Sequence, residues 1–110
     1  MKVACIGEAM IELSIDATDH PKLGVAGDTL NTAIYMKRTA PELQIDYVTR
    51  LGGDSFSDRI RDFIASQGLG IDQIEMDADR IPGLYAINTD DAGERSFTYW
   101  RENAAARGLF

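Results

Sequence analysis

The stretch Ala26-Gly27-Asp28-Thr29-Leu30-Asn31-Thr32-Ala33 decides the fold, because it takes the chain from a glycine turn directly into a helix. Gly27 can adopt backbone angles that other residues avoid, and Asp28 is a good N-cap, so we expect the helix to begin here. Asn31 follows near the positive end of the helix dipole. Free amides, the dipole and an amide side chain together suit a polyol or an anion. Taken alone, however, these residues are better explained as an ordinary capped helix start.

The composition limits the classes of protein to which the chain can belong. Its 110 residues make one domain or part of one, and 45% of them are hydrophobic, which is enough for a core. The net charge of -7 argues against nucleic acid or an anionic membrane surface as the main partner. The single cysteine, Cys5, is expected to be a small buried strand residue. Because there is no disulfide pair, signal peptide or long apolar run, the sequence predicts a cytoplasmic protein.

Apolar patterning predicts alternating strands and helices. The expected strands are residues 2–6, 10–16, 44–50 and 69–74, of which 10–16 is a half-exposed edge strand. The first helix should end near 39–40, just before Pro41, and the second should run from a cap at Asp54 or Ser55 to Gly68. The expected core stripe of the second helix is Phe56, Ile60, Phe63 and Ile64. This alternation predicts an α/β fold, a parallel sheet with crossover helices, in which ligands gather at the carboxyl ends of the strands.

Three further expectations concern side chains and segments outside this alternation. Residues 19–24 are predicted to form a turn, with His20 at the surface. Glu12 is interpreted as a solvated carboxylate on the polar face of its strand. The first strand, 2–6, is apolar on both faces and therefore should have neighbours on both sides.

Residues 83–101 are typical of a β-hairpin, with an Asp- and Gly-rich turn at 89–94. Together with residues 10–16 the hairpin could make a small antiparallel sheet. The period of two places Phe97, Tyr99 and Arg101 on one face, with Tyr85 opposite them and Trp100 on the other face, packing. Phenols and a guanidinium suit a hydroxylated carboxylate, but a cross-strand aromatic pair with a solvated arginine explains the pattern equally well.

Three motifs occur in a specific order. They are Gly7-Glu8-Ala9-Met10-Ile11-Glu12-Leu13, then 26–33, then Gly83-Leu84-Tyr85 with Arg95-Ser96-Phe97-Thr98-Tyr99-Trp100-Arg101. This set resembles the ribokinase-like carbohydrate kinases of the phosphofructokinase-B type, and among them it looks most like the 2-keto-3-deoxygluconate kinases. The resemblance implies that residues 1–110 are the N-terminal part of a ribokinase-like kinase domain. It also implies a small antiparallel β lid, with strands near 10–16, 83–88 and 95–101.

The resemblance further implies six substrate-binding residues. Those expected to hold sugar hydroxyls are Gly27, Asp28 and Asn31, and those expected to hold the 2-keto acid end are Tyr85, Tyr99 and Arg101. An arginine in this position distinguishes an acid sugar from ribose or fructose. Two departures from the family pattern are Ala26, where a glycine is usual and where a methyl group could crowd the sugar, and Ser57, where the family tends to carry another glycine.

The activity that the resemblance implies for the parent protein is transfer of a phosphoryl group from ATP, with Mg2+, to the 6-hydroxyl of 2-dehydro-3-deoxy-D-gluconate. The family's catalytic aspartate lies in a downstream Gly-Ala-Gly-Asp segment that these 110 residues lack. We therefore expect the chain alone to be inactive, to bind no ATP or metal and to fold poorly. The expected partners are a small sugar acid and, through the lid, a second copy of the chain.

Two alternatives stay open at this point. One is another ribokinase-like sugar kinase, of the fructokinase or ribokinase type. The other is a non-catalytic module that binds sugar acids or dimerises. A dinucleotide-dependent dehydrogenase is disfavoured because Gly7-Glu8-Ala9-Met10 lacks the glycine spacing that lets a backbone approach a pyrophosphate.

Overall fold

The computed structural model describes residues 1–16, 18 and 20–109. The strands are β1 (Lys2–Ile6), β2 (Met10–Ile15), β3 (Pro21–Ala26), β4 (Gln44–Val48), β5 (Arg50–Leu51), β6 (Glu75–Met76), β7 (Leu84–Thr89) and β8 (Arg95–Trp100). The α-helices are α1 (Asp28–Thr39), between β3 and β4, and α2 (Ser55–Ser66), between β5 and β6; a 3-10 helix spans Ala105–Leu109. The predicted α/β class is confirmed. Within the described residues, neither helix has the length and apolarity that a bilayer crossing demands.

The parallel strand pairs and the two α-helices share one apolar core. β1 pairs with β4, and β5 with β6, both in parallel. β4 contributes Ile45 and Tyr47 to the core, and the chain continues through buried Thr49, so the predicted period of two is confirmed. α1 contributes Leu30, Ala33 and Ile34, and α2 contributes Ile60 and Ile64. This apolar contact fixes the position of α1, whose first turn faces the site described below.

A second, four-stranded sheet has the order β3-β2-β7-β8, and we call it the lid sheet. The predicted hairpin is confirmed, since β7 and β8 are antiparallel. The prediction of a wholly antiparallel lid is wrong, because β2 pairs in parallel with β7. Nor is β2 an edge strand: β3 lies on its other side, antiparallel. The local pattern identifies these strands but does not determine which of them pair across long stretches of chain.

The turn predicted at 19–24 is also wrong, because Pro21–Ala26 forms β3; Asp19 lies outside the described residues. A proline can be the first residue of an edge strand, where its missing amide is not needed by a neighbour. Four successive residues of β3 from Pro21 are exposed, and the proline and the glycine at position 24 are more typical of a turn than of a strand. His20 is exposed, as expected.

Two smaller predictions about the core are corrected, and a third stays a prediction. In place of a strand at 69–74 there is one bridge between Gly70 and Asp46, and the strand β6 lies just beyond. Phe56 is 48% exposed, because the first turn of α2 turns the buried Ser57 inward instead. β1 has β4 as its one neighbour in the described structure, and alternate residues of β1, beginning with Lys2, are exposed; a second neighbour for this strand stays a prediction.

Candidate functional site

The first turn of α1 begins differently from the expectation. Gly27 is the N-cap and Asp28 is the first helical residue, so the prediction that Asp28 caps the helix is wrong. Among the described residues no side chain caps this helix, and its first amides lack a side-chain acceptor. Gly27 has a φ of 162°, which is extended backbone open to any residue. A glycine is needed for space instead, because a methyl group here would meet the backbone carbonyl oxygen of Glu8.

A cavity of about 360 Å³ lies between this helix start and the lid sheet. Its lining residues are Glu8, Met10, Gly27, Asp28, Thr29, Asn31, Tyr85, Phe97, Tyr99 and Arg101. All six substrate-binding residues predicted from the resemblance therefore surround one cavity, although they come from distant parts of the chain. The volume is within the range of small-molecule sites, roughly 300–1,000 Å³. Ala26 is buried at the end of β3 and is not part of this lining, so its methyl group does not narrow the cavity.

The lid wall of the cavity is a stack of two tyrosines and an arginine. Tyr85 and Tyr99 are directly opposed in the β7–β8 register, with ring centroids 5.8 Å apart and planes at 26°. The guanidinium carbon of Arg101 lies 4.8 Å from the centre of the Tyr99 ring, a cation–π contact. The sequence left two interpretations open: a cross-strand aromatic pair with a solvated arginine, and a binding surface for a hydroxylated carboxylate. They do not exclude each other, because the aromatic pair itself forms a wall of the cavity.

The position of the Tyr85 hydroxyl is fixed by a hydrogen bond to Glu12. The two residues are partners in the parallel β2–β7 register, and the Tyr85 hydroxyl donates a hydrogen bond of 2.9 Å to Glu12 Oε2. The interpretation of Glu12 as a solvated carboxylate is therefore wrong. Burial, and then this hydrogen bond, raise the pKa of Tyr85 above its ordinary value of 10.0. Because the phenol proton is engaged by Glu12, Tyr85 can only accept a hydrogen bond from a ligand hydroxyl.

The opposite wall is tied to the core by Tyr47. Its hydroxyl lies 2.8 Å from Thr29 Oγ1, in the first turn of α1. Tyr47 is fully buried, and this burial raises its pKa to about 12 despite the opposing effect of the Thr29 hydrogen bond. The hydrogen bond fixes the helix start, and with it Asp28 and Asn31, relative to β4.

Glu8 is a lining residue to which the sequence analysis assigned no role. It follows β1, and its Oε1 lies 3.7 Å from Arg101 Nη1. Its Oε2 is buried without a hydrogen-bond partner among the described residues. Burial raises the pKa of Glu8, while the charges of Arg101 and Arg107 act in the opposite direction. The available signal was its position at the carboxyl end of a predicted parallel strand, where ligands gather.

A larger apolar groove of about 560 Å³ lies on the other face of the lid sheet, where Trp100 is 56% exposed. Its walls include Ile11, Leu13, Phe56 and Leu84. It offers few polar groups to orient a hydroxylated ligand, and none of the six predicted residues lines it. The smaller, polar cavity is therefore the candidate functional site.

Comparison with known proteins identifies the family. The profile of the pfkB family carbohydrate kinases matches residues 1–109. The chain belongs to this family. It is 49% identical over 107 residues to a 2-dehydro-3-deoxygluconokinase of Dickeya dadantii and 46% identical over 108 residues to one of Escherichia coli K12. Each alignment covers 96% of the chain but only 34% and 35% of the relative, so the chain spans about a third of the length of these kinases.

A solved structure supports the fold. The PfkB protein of Polaromonas sp. JS666 superimposes with a TM-score of 0.86 at 25% identity, covering 96% of this chain and 37% of that one. The family and the ribokinase-like α/β fold expected from the sequence motifs are thereby confirmed. The substrate-binding roles of Gly27, Asp28, Asn31, Tyr85, Tyr99 and Arg101 remain predictions that the geometry now places around one cavity.

Proposed function

We propose that this chain is the N-terminal, sugar-binding part of a kinase that transfers the γ-phosphoryl group of ATP to the 6-hydroxyl of 2-dehydro-3-deoxy-D-gluconate. The observation that carries the proposal is the cavity in which the Tyr85–Tyr99–Arg101 stack faces Asp28 and Asn31. Relatives at 46–49% identity that carry the name of this kinase support the choice of substrate.

The chemistry of the lid wall fits the acid end of such a sugar. A guanidinium presents paired N–H donors that match the two oxygens of a carboxylate. Arg101 is only half-buried, and its contact with Glu8 is longer than a hydrogen bond, so these donors are available to a ligand. Stacking on Tyr99 fixes the plane of the guanidinium, which lowers the entropy lost when a carboxylate binds.

The chemistry of the helix wall fits the hydroxyl end. Asp28 offers a carboxylate that can accept hydrogen bonds from hydroxyls, while Asn31 offers both a donor and an acceptor. The uncapped amides at the start of α1 add donors for hydroxyl oxygens. A hydroxylated acid held between the two walls would present its far hydroxyl away from Arg101. This is the orientation that transfer to a terminal hydroxyl demands, since phosphoryl transfer depends chiefly on positioning.

We further propose that ATP, Mg2+ and the catalytic aspartate belong to the part of the full-length protein that this chain does not include. In the residues that the structure describes, no group of three or more His, Cys, Asp and Glu side chains is arranged to hold a metal ion. The chain would contribute substrate binding and orientation, and the remainder of the protein would contribute the reacting phosphate.

We also propose a cytoplasmic kinase that forms a homo-oligomer through its lid sheet, with no nucleic acid or membrane as partner. The net charge of -7 and the single cysteine support the compartment and the choice of partners. The exposed aromatic residues of β8, Phe97 and Trp100, support the lid contact. Sedimentation of the full-length protein, with and without a Trp100→Lys substitution, tests the assembly.

The proposed activity is tested by supplying the full-length protein with ATP, Mg2+ and either 2-dehydro-3-deoxygluconate, fructose or ribose, and by following ADP release. We expect kcat/KM for the acid sugar to exceed that for either neutral sugar by about 100-fold or more. A neutral sugar has no carboxylate to pair with the guanidinium of Arg101, which would therefore stay unpaired. Comparable values for fructose would indicate a fructokinase instead. Binding of the acid sugar without any ADP release would indicate a non-catalytic module.

A further inference from the structure

Glu8 occupies a central place between the two walls of the cavity. Its backbone carbonyl oxygen lies against Gly27, and its carboxylate lies against Gly83, where a methyl group would be 2.6 Å from Oε2. Two glycines distant in sequence, one just before α1 and one just before β7, thus leave the space that this glutamate fills. The same hypothetical methyl group on Gly83 would be 3.1 Å from the Cβ of Arg101. Glu8 and Arg101 therefore both lie against Gly83. Because this residue has no side chain, both can also line the cavity.

The carboxylate of Glu8 is not satisfied by the protein. Oε2 is buried without a partner among the described residues, and the contact of Oε1 with Arg101, at 3.7 Å, is too long for a hydrogen bond. A partly buried carboxylate without hydrogen bonds costs free energy that a donor from a ligand would recover. Rotation about the terminal side-chain bond of a glutamate is soft, so either oxygen can be turned toward a donor.

The charges around the cavity specify which donor is suitable. Glu8 and Asp28 are the acidic residues of the lining, and Arg101 is its basic residue, so a ligand carboxylate next to Arg101 also lies near Glu8. A second carboxylate would repel Glu8 unless a proton donor lies between them. The hydroxyl groups of a sugar acid are such donors, carried by the same molecule as its carboxylate.

We propose that Glu8 is a specificity-determining residue whose carboxylate accepts a hydrogen bond from a hydroxyl group of the sugar acid, beside the carboxylate that Arg101 holds. The inference rests on the proposed function and adds a requirement to it. The Glu8–Arg101 pair recognises hydroxyl and carboxylate together, so a 2-oxo acid that lacks the hydroxyls between its two ends binds more weakly, although Arg101 still holds its carboxylate.

The test compares two ligands in the full-length protein. One is 2-dehydro-3-deoxygluconate, and the other is 2-oxo-6-hydroxyhexanoate, which keeps the carboxylate, the oxo group and the terminal hydroxyl but lacks the two hydroxyls between them. We expect Glu8→Ala to weaken binding of the first ligand about 10- to 100-fold, as for loss of a hydrogen bond to a charged group. Binding of the second ligand should change by less than about 3-fold, since no hydrogen bond is lost.

Two further variants complete the test. Glu8→Gln keeps an acceptor without the charge, so it should recover part of the affinity for the hydroxylated ligand while still binding it more weakly than the wild type. It also supplies the measurement if Glu8→Ala does not fold. Glu42→Ala removes an exposed glutamate remote from the cavity and should leave the affinity for both ligands unchanged.

The outcomes separate this inference from the function on which it rests. If Glu8→Ala, or Glu8→Gln in its place, changes the affinity for both ligands by the same factor, Glu8 acts only through Arg101 and the inference is overturned. If the wild-type protein binds and phosphorylates neither ligand but accepts fructose, the proposed function fails and the role of Glu8 fails with it.

Discussion

The two helices of this chain begin in opposite ways. α2 is capped by its own sequence: the Asp54 side chain accepts hydrogen bonds of 3.1 Å from the amides of both Phe56 and Ser57. The Ser57 hydroxyl donates to Asp54 and accepts from the amide of Gly52, so the whole corner is satisfied. α1 begins at Gly27 with no side-chain cap among the described residues, and its first turn faces the cavity.

The difference shows which helix start stabilises the fold and which is available for a ligand. A capped start uses its free amides within the protein, and the cap stabilises the structure by about 1 kcal/mol. An uncapped start keeps those amides for another partner and needs other contacts to hold it. For α1 these contacts are the Thr29–Tyr47 hydrogen bond and the close approach of Gly27 to Glu8. Three of the four predictions below test this contrast and the other tests the lid wall, in decreasing order of expected effect.

Gly27→Ala should have the largest effect, because the added methyl group would meet a backbone carbonyl oxygen, which cannot move aside as a flexible side chain can. We expect a loss of roughly 3 kcal/mol in the free energy of unfolding, at the upper end of overpacking effects. Chemical denaturation of the full-length protein measures it. Gly24→Ala is the matched control, since no atom lies within 4 Å of a methyl group placed there. Equal stability of the two variants would contradict the close approach described here.

Arg101→Ala should change catalysis rather than folding. We expect KM for 2-dehydro-3-deoxygluconate to rise about 10- to 100-fold, the loss of a charge-assisted pair, with little change in the free energy of unfolding because the side chain is half-exposed. Steady-state kinetics with the acid sugar and with a neutral sugar measure the effect. Arg95→Ala, at the other end of β8, is the control. A similar rise in KM for both sugars would reject the assignment of Arg101 to the acid group.

Asp54→Ala and Asp28→Ala compare the two helix starts directly. Asp54→Ala should lower the free energy of unfolding by about 1 kcal/mol and leave KM unchanged, because it removes a cap remote from the cavity. Asp28→Ala should do the reverse: a smaller loss of stability, since Asp28 caps nothing, and a raised KM for the sugar. Denaturation and kinetics of both variants measure this. If Asp28→Ala proved the more destabilising change, the contrast between the helices would be wrong.

The smallest expected effect is a pH dependence of the α2 cap. Burial alone would raise the pKa of Asp54, but hydrogen bonds from the Ser57 hydroxyl and from the amides of Ser57 and Phe56 outweigh it and hold that pKa below 3.8. A carboxyl whose pKa is lowered by folding stabilises the protein fully above its unfolded value and loses this contribution as pH falls through the folded one. The stability difference between wild type and Asp54→Ala should therefore be constant from pH 7 to 5 and shrink toward pH 3. A difference that stays constant down to pH 3 would contradict it.

The sequence predicts best those features that local chemistry determines. Neighbouring residues predict the end of α1 before Pro41, the turn between β7 and β8, and a cap for α2 at Asp54 or Ser55. All three are confirmed, with Asp54 as the cap. The facing of Tyr85 and Tyr99 also follows locally, because a short turn sets the register of a hairpin.

Features that depend on distant strands were missed or misjudged. The parallel pairing of β2 with β7 joins residues more than seventy positions apart, and it alone brings Glu12 to Tyr85. β3 contains a proline and a glycine and is exposed over its first four residues, so its pairing with β2 is what defines it as a strand. A glycine is needed at position 27 because of the proximity of Glu8 and not because of special backbone angles, as the sequence predicted, and no local pattern reveals this.

The hydrogen bond between Tyr47 and Thr29 affects how the cavity can adapt to a bound ligand. It ties one side of the pocket to the rigid centre of the molecule, whereas β8, on the other side, has every residue exposed. We therefore expect any tightening around a bound molecule to come from the hairpin rather than from the helix start. Tyr47→Phe removes this hydrogen bond and keeps the buried ring, so we expect a higher KM for the sugar in steady-state kinetics of the full-length protein, although Tyr47 does not line the cavity.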